Sequence, residues 1–528
     1  MAIAIVDGYV DEPSCLGVPP YISPYPRYIY GMLRRLKINA AYFTAEQVRE
    51  RPSLLEKFDF SIVIAGAIVP GKYLAAKPLS LREVAMLPGD KVVVGPVALE
   101  LGKREKEELN VLNYPFEREL FEYLCKYSGV EKSFDLDSFA ILGSEVVRQH
   151  PDFPHVICEI ETYRGCYWRK CSFCMEFIHG RPKMRDPNAV LGEIEALYSA
   201  GVRHFRLGRQ TDFFTYMADF SYEVPKPNAD FMLAFHREIW RRCPKIKTLH
   251  LDNVNPKTIA EHPEESSKII KTIVMYQTPG NVAAFGLESA DERVVELNSL
   301  AAMPDEVMKA IELVNCYGRA VGYNGMPCFL PGINFVIGLI GETKKTFEKN
   351  FEFLSELLER NLLVRRINIR QVKIVPGTKM EKFGDRNVRR HKKYFRFFKR
   401  KVREEIDREM LRKLVPVGRK LTELRCEVVE GNLTFARQMG TYPLLVGLVG
   451  RYTRNKFVDA RVVGYGMRSV TAVEILDVNR ASLQQLEAIP GIGKATAAKI
   501  VANRPFRNVE EIASLVENFD EIKDFFLL

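Results

Sequence analysis

The sequence predicts an α/β protein in four parts. These are an N-terminal doubly wound parallel sheet, a partial barrel of six strand–helix units, a run of short β-strands, and a closing helix, glycine hairpin and helix. Three observations carry this reading. Short apolar strands alternate with helical stretches through residues 1–376, the rhythm of parallel sheets whose crossovers are helices. Beyond residue 154, the polar and glycine-rich signatures fall where strands end. The composition then shifts twice, to a Lys/Arg-dense stretch after Thr378 and to a glycine hairpin at Gly491 and Gly493.

The chain has 528 residues, too many for one ordinary core. Its 47% hydrophobic content is that of a globular protein. Apolar runs such as Ile62–Val69 are strand-length and far short of a bilayer span. Asp7 interrupts the first apolar run, leaving no signal-peptide core, so a cytoplasmic protein without membrane segments is expected. Ten cysteines, three of them clustered, read as thiols and ligands rather than a disulfide framework. A net charge of +10 permits a polyanionic partner without requiring one.

Residues 1–150 form the first unit, with strands expected at Ala2–Val6, Ala40–Phe43, Ser61–Ala65 and Lys91–Val94 and a helix over Tyr28–Leu36. Such sheets bind ligands at the carboxyl ends of their strands, here near Asp7-Gly8 and Gly66. Cys15 and Cys125 are either ligands of a second cluster or buried filler.

Residues 151–380 form the barrel. Its strands are Cys158–Tyr163, His204–Leu207, Leu249–Leu251, Ala283–Leu287, Asn334–Leu339 and Ile367–Ile374. Helices are expected over Ala189–Leu197, from Asp291, and along the stripe Phe347, Phe351, Leu354, Leu358. The first strand runs into Cys166-Tyr167-Trp168-Arg169-Lys170-Cys171-Ser172-Phe173-Cys174. Three thiols in one loop point to a metal or iron–sulfur centre. A closed zinc site needs a fourth ligand, with His179 and Cys158 the candidates, whereas a cubane held by three thiolates leaves one iron open. His250 and Asp252 lie toward the same end, the former expected as a satisfied buried histidine. Glu342 and Thr343 are expected to cap the helix that follows them.

Residues 381–414 form a basic helical linker with interleaved aromatics: a solvated helix packing on the barrel, or a stripe facing a polyanion. Residues 415–474 read as short strands with turns at Glu430-Gly431-Asn432 and Gly464-Tyr465-Gly466. In residues 475–528, Gly491 and Gly493 allow a tight turn, and bare amides at the following helix start, with Lys494 and Lys499, can face a phosphate.

The barrel segment resembles the radical S-adenosylmethionine superfamily, particularly the branch containing the tRNA methylthiotransferases. The matching features are Arg164-Gly165-Cys166…Cys171-Ser172-Phe173-Cys174, Phe285-Gly286-Leu287-Glu288-Ser289, Gly338-Leu339-Ile340-Gly341-Glu342-Thr343 and Val375-Pro376-Gly377-Thr378. They span roughly two-fifths of the chain. One departure is that four residues, not three, separate the first two cysteines. The resemblance implies that Cys166, Cys171 and Cys174 hold a 4Fe–4S cluster whose free iron takes S-adenosylmethionine. It places Phe173 beside the adenine, Gly208, Arg209 and Gln210 at the turn receiving the amino group, and Glu288 and Ser289 at the ribose. Residues 1–150 resemble the cobalamin-binding-like domain that precedes many radical enzymes. With no Asp-x-His-x-x-Gly motif, nothing there supplies cobalamin's lower histidine, and a substrate-positioning role is expected instead. Residues 415–474 resemble the small TRAM-type β-barrel, implying Arg437, Tyr442, Arg451, Arg454 and Arg468 as RNA contacts. Residues 475–528 resemble a helix-hairpin-helix domain, and the whole is similar to an archaeal-type group of radical enzymes that carry one.

The first functional reading is therefore a radical enzyme served by an electron donor protein and acting on RNA, chiefly tRNA, by methylation or methylthiolation at a C–H bond. The second is a radical enzyme acting on a small molecule or protein, its C-terminal modules serving assembly. The third is a zinc-stabilised nucleic-acid-binding protein.

Overall fold

A computed structural model describes every residue of the chain except 69, 70, 72, 75 and 528. Two segments named above therefore reach outside the described residues, the apolar run at Val69 and the last module at Leu528.

The first strand, Ala2–Glu12, is almost wholly buried. It pairs in parallel with Asn39–Thr44 on one side and Phe60–Ala67 on the other, and Lys91–Val94 follows outward. The order across the sheet is second, first, third, fourth, so the chain reverses direction between the first and third strands. That reversal opens a crevice at their carboxyl ends. The helix Tyr25–Arg35 buries Tyr25, Tyr28, Ile29, Met32 and Leu33, a 3.6-residue stripe, and ends in Arg34 and Arg35, which suit its negative pole. All four expected strands are present, each within its observed bounds.

The barrel has six parallel strands in chain order. Ile157–Glu161, His204–Gly208 and Thr248–Leu251 form one sheet, and Asn281–Glu288, Phe329–Ile337 and Arg366–Gln371 form a second. A parallel bridge from Asn253 to Ala284 joins them. Helices Pro187–Ala200, Ala229–Arg242, Pro263–Tyr276, Pro304–Gly318 and Lys344–Glu359 supply the crossovers. A seventh, very short strand was not foreseen: Tyr21–Ile22, from the N-terminal unit, pairs in parallel with Ile157–Cys158. The N-terminal unit thus completes one edge of the barrel sheet.

After the last strand, helices between Lys379 and Leu414 pack along the barrel's outer side. Phe398 is buried between Phe335 and Phe347, ring centroids 5.9 and 5.8 Å away. Tyr394 and Phe397 stay exposed among exposed lysines and arginines. Both halves of the linker expectation are therefore visible, a packed aromatic inside and a basic face outside.

Strands Lys420–Glu430, Leu433–Arg437, Leu445–Val449, Phe457–Tyr465 and Ser469–Glu474 close into a five-stranded barrel. Its order is one-two-three-five-four, and only the third and fifth pair in parallel. This is the Greek-key arrangement of oligonucleotide- and oligosaccharide-binding barrels. The last module has a core apart from that of the large barrel, in which Leu486, Ile489, Ile492, Ala497, Ile500 and Ile512 pack together and against Val449 and Val473 of the small barrel. Its end returns to its beginning, Phe526–Leu527 pairing with Leu476–Asp477. No helix among the described residues is long and apolar enough to cross a membrane.

Candidate active site

The cysteine loop leaves the carboxyl end of the first barrel strand through a small hairpin, Tyr163–Arg164 against Lys183–Met184. Gly165 is there for a steric reason. Its φ is +96°, and a Cβ would lie 2.7 Å from the Arg181 carbonyl oxygen. The longer first spacer is absorbed at Arg169, which adopts a left-handed φ of 52°. The loop is pinned on several sides. Trp168 Nε1 donates to the Ser299 carbonyl (2.7 Å), and Ser172 Oγ donates to Asn298 Oδ1 (2.6 Å). Asn255 donates to the Tyr167 hydroxyl (2.9 Å), and Thr211 Oγ1 donates to the Gly165 carbonyl (3.1 Å).

Cys166, Cys171 and Cys174 are half-buried free thiols. Burial pushes all three up, Cys171 to about 12, and Cys166 adds to the rise at Cys171 while Cys171 adds to that at Cys174. Holding three such thiols as thiolates on one loop calls for a cation among them. Among the described residues, no three Cys, His, Asp or Glu side chains converge on a single ion position. A cubane does not ask for that, because each thiolate takes a different iron. The other sulfur and imidazole candidates are turned elsewhere. Cys158 is buried beside Arg27 and Glu193, its thiol also pushed to about 12 by burial, and His179 Nε2 lies 3.1 Å from the Arg209 guanidinium. Cys15 is buried in the N-terminal unit and Cys125 is half-buried.

Phe173 packs with Cys171 on a satellite apolar cluster of Val294, Val295, Leu300, Leu339, Val372 and Met380, leaving part of its ring exposed. Glu288, at the end of the fourth strand, has a left-handed φ of 61° and a buried Oε2 with no hydrogen-bond partner. Burial pushes its carboxyl up to about 8, and its charge reaches Cys171. It therefore stands beside the cysteine loop with an unsatisfied oxygen. Ser289 Oγ accepts from the Asp291 amide (3.2 Å), which places it just before the helix Glu292–Leu297 rather than at its cap.

The turn at residues 208–210 is built around Glu159. A Cβ at Gly208 would lie 1.9 Å from Glu159 Oε1, and the Arg209 amide donates to that oxygen (3.2 Å). Arg209 has a φ of 59°, and its side chain is not at a cofactor position. It plunges into the N-terminal unit, donating to Ser14 Oγ (2.6 Å) and the Tyr114 hydroxyl (2.7 Å) and facing Glu12 (3.4 Å) and Glu176 (3.7 Å). The Gln210 amide is spent internally, on Thr162 Oγ1 (3.1 Å) and the Leu207 carbonyl (2.9 Å). Only backbone remains at this turn to meet a ligand. Glu342 does not cap a helix: it accepts from the Gly338 amide and pairs with His391 Nδ1, both at 2.7 Å. Thr343 is the N-cap residue of Lys344–Glu359, its amide donating to Thr346 Oγ1 (3.0 Å).

Deeper in the barrel, Arg206 is paired with Glu159 (2.5 Å) and Asp252, and the Tyr442 hydroxyl donates to Asp252 (2.8 Å). Tyr442 comes from the connection between the second and third strands of the small barrel. That connection docks on the radical-type barrel at three more points. His250 Nδ1 accepts from the Thr441 amide (2.8 Å), the Gly440 carbonyl accepts from Tyr21 (2.6 Å), and the Tyr442 carbonyl accepts from Arg365 (3.1 Å). His250 is buried, as expected, and burial lowers it to about 4, but it is not fully satisfied, because its Nε2 has no hydrogen-bond partner among the described residues. The expected RNA contacts of the small barrel fare differently. Arg437 is paired with Glu427 (2.6 Å), Arg454 with Asp152 (2.8 Å) and Arg468 with Asp407 (3.8 Å), and Tyr442 faces inward. Arg451 is exposed with no ion pair among the described residues. Arg454 and Arg468 keep about half of their side chains exposed beside their partners, whereas Tyr442 is turned into the contact between the domains, which nothing in the sequence marks.

In the last module Gly491 has φ +86°, and a Cβ there would lie 2.2 Å from Asn518 Nδ2. Gly493 is the N-cap of the helix Lys494–Ala502 and is open on its side-chain face. Lys494 and Lys499 are exposed and without ion pairs among the described residues.

With this geometry in hand, the relatives are informative. An uncharacterised protein of Archaeoglobus fulgidus is 62% identical over 527 residues, covering 98% of this chain and 97% of its own. One of Methanocaldococcus jannaschii is 42% identical over 509 residues, covering 90% and 94%. The chain belongs to this archaeal family. The family model of the helix-hairpin-helix motif matches residues 471–521. Among solved structures, the cobalamin-dependent S-adenosylmethionine radical enzyme OxsB in its apo form superposes with a TM-score of 0.51 at 12% identity. The match covers 74% of this chain and 61% of OxsB, so the chain spans about three-fifths of that enzyme's length. The archaeal family thus has the fold of a radical S-adenosylmethionine enzyme.

Proposed function

We propose that this protein is a radical S-adenosylmethionine enzyme that modifies RNA at a C–H bond. The observation that carries the reading is the position of Cys166, Cys171 and Cys174, three thiols on one loop at the carboxyl mouth of a six-stranded parallel partial barrel. A 4Fe–4S cluster held there, with S-adenosylmethionine bound, supplies one-electron reductive cleavage of the sulfonium–carbon bond, which gives methionine and a 5′-deoxyadenosyl radical. The chain's own residues do the rest. Trp168, Ser172 and Thr211 fix the loop, the Gly208–Gln210 turn presents backbone, and Glu288 offers a polar oxygen beside Cys171. The one histidine of residues 1–150 is His150 at the unit's end, whose Nδ1 accepts from the Asp152 amide (3.0 Å), and the loops at the carboxyl ends of the sheet hold none for a cobalt ion.

The RNA assignment is supported by the open glycine hairpin with Lys494 and Lys499 and by the strand order of the small barrel. A second reading, an enzyme for a small molecule or protein, is favoured by one observation: Arg437, Tyr442, Arg454 and Arg468 are engaged within the chain. The test is anaerobic reconstitution with iron and sulfide, reduction, and assay for 5′-deoxyadenosine, followed by comparison of modified nucleosides from cells with and without the gene. Absence of 5′-deoxyadenosine overturns the radical reading. Its presence with unchanged nucleosides overturns the RNA reading.

A further inference from the structure

The three later barrel strands share a pattern that the three earlier ones lack. On the earlier strands the interior is filled: Glu159, Arg206 and His250 are buried. On the later strands alternate residues toward the carboxyl end keep partial exposure. Gly286, Glu288, Asn334, Val336, Arg366, Asn368 and Arg370 follow this alternation, and Gln371 at the end of the last strand is partly exposed as well. Strand alternation puts the alternating residues on one side, facing the interior. The lumen is therefore open along this wall, and its last strand reads Arg-Ile-Asn-Ile-Arg.

Most of the buried arginines in and around the barrel have a carboxylate. Arg27 has Glu193, Arg164 has Glu161 and Glu117, Arg185 has Glu193 and Asp137, and Arg206 has Glu159 and Asp252. Arg366 and Arg370 have none within 4 Å among the described residues. Their Cα atoms stand about 13 Å apart on the strand, within the combined reach of two arginine side chains, and the charge of Arg370 reaches Arg366. Arg366 is already oriented, its guanidinium 3.9 Å from the Tyr442 ring centroid. Asn368 donates to Asn334 (3.1 Å) between them. Asp11 of the N-terminal unit, held by the Tyr73 hydroxyl (2.6 Å), and Glu288 act on this pair from beyond ion-pair distance. Two guanidinium forks without a close carboxylate keep donors for a ligand, and they match the several oxygens of a phosphate better than the two of a carboxylate.

We propose that Arg366 and Arg370 receive a phosphate of the nucleotide that enters the barrel lumen. This assignment of the substrate group rests on the reading of the barrel as a nucleic-acid-modifying enzyme. The test measures binding rather than turnover. The full-length chain, without reductant, is titrated calorimetrically with adenosine and uridine 5′-monophosphates and with the two nucleosides. Arg366→Gln and Arg370→Gln are compared with the exposed-surface control Arg386→Gln and with the charge-keeping Arg370→Lys, all checked for native circular dichroism. The expected result is monophosphate binding by the parent chain and the control, weakened tenfold or more in each Gln variant and less in Arg370→Lys, with nucleosides insensitive to either arginine. Equal monophosphate affinity in a folded Gln variant overturns the proposal, as does failure of the parent chain to bind monophosphates. Competition by acetate as strong as by inorganic phosphate overturns the choice of phosphate. Should the reduced enzyme yield no 5′-deoxyadenosine, the radical reading falls and this binding result still stands or falls by itself.

Discussion

Glu159 fills the space that any side chain at residue 208 would need. Its Oε1 would lie 1.9 Å from a Cβ there, and the same carboxylate is paired with Arg206. Gly208→Ala must therefore displace a buried, charge-paired group. Breaking such a pair costs about 3–5 kcal/mol, so the variant is expected to lose about 3 kcal/mol or more in urea unfolding. Gln210→Ala, which removes only two local hydrogen bonds, is expected to lose about 1–2 kcal/mol. Equal losses would mean the Glu159 contact is relieved at little cost.

Cys171→Ala is expected to abolish iron binding, the brown colour of the reconstituted protein and 5′-deoxyadenosine formation. RNA affinity in a filter or gel assay should stay within about twofold, because the hairpin and its lysines belong to a separate core. Loss of both together would show that the two regions do not act independently.

Asp7 gives a pH prediction. Burial, only partly offset by hydrogen bonds from Tyr42 and Tyr9, raises its carboxyl from 3.8 to about 7. A folded-state value above the unfolded one means the native state holds the proton more tightly. Its favourable contribution is complete below about pH 4 and is lost as pH rises toward 7. Asp7→Asn, neutral throughout, should gain stability relative to the parent by up to about 4 kcal/mol between pH 4 and pH 8. Parallel urea midpoints for the two proteins across that range would contradict it.

Tyr442→Phe removes the hydroxyl that donates to Asp252 and should cost about 1.5 kcal/mol. Tyr442→Ala also removes the ring under Arg366 and should cost more and speed proteolysis between the barrels. Equal unfolding midpoints for all three proteins would show that this contact contributes little.

Lys494→Gln with Lys499→Gln should weaken RNA binding several-fold at low salt and reduce the slope of log affinity against log salt by about 1–2. An unchanged slope would move the phosphate contacts away from the hairpin.

Much of this was readable from the chain itself. The parallel strands announced themselves because each is an apolar run ended by a turn, and the thiols because three occur within nine residues. What was hidden depends on pairs far apart in sequence. Arg209 meets Ser14 across 195 residues, and Tyr442 meets Asp252 across 190, with nothing local to mark either as inward. Tyr21–Ile22 is too short to carry any periodicity. The Arg366–Arg370 alternation was visible as a pattern, yet it reads as an ordinary solvent face until the strand is known to bound a lumen. The intrachain partners of Arg437, Tyr442, Arg454 and Arg468 lie equally far off in sequence or on other elements, and were hidden for the same reason.

Because Tyr21–Ile22 zips onto the first barrel strand, a truncation that starts near residue 150 would not liberate a clean catalytic fragment. It would strip a hydrogen-bonded neighbour from Ile157–Cys158 and present a bare, apolar sheet margin, the kind of surface on which chains stack into aggregates. Dissection of this protein should therefore leave the N-terminus whole and keep the small barrel together with the C-terminal module, because Val449 and Val473 of that barrel belong to the module's apolar core.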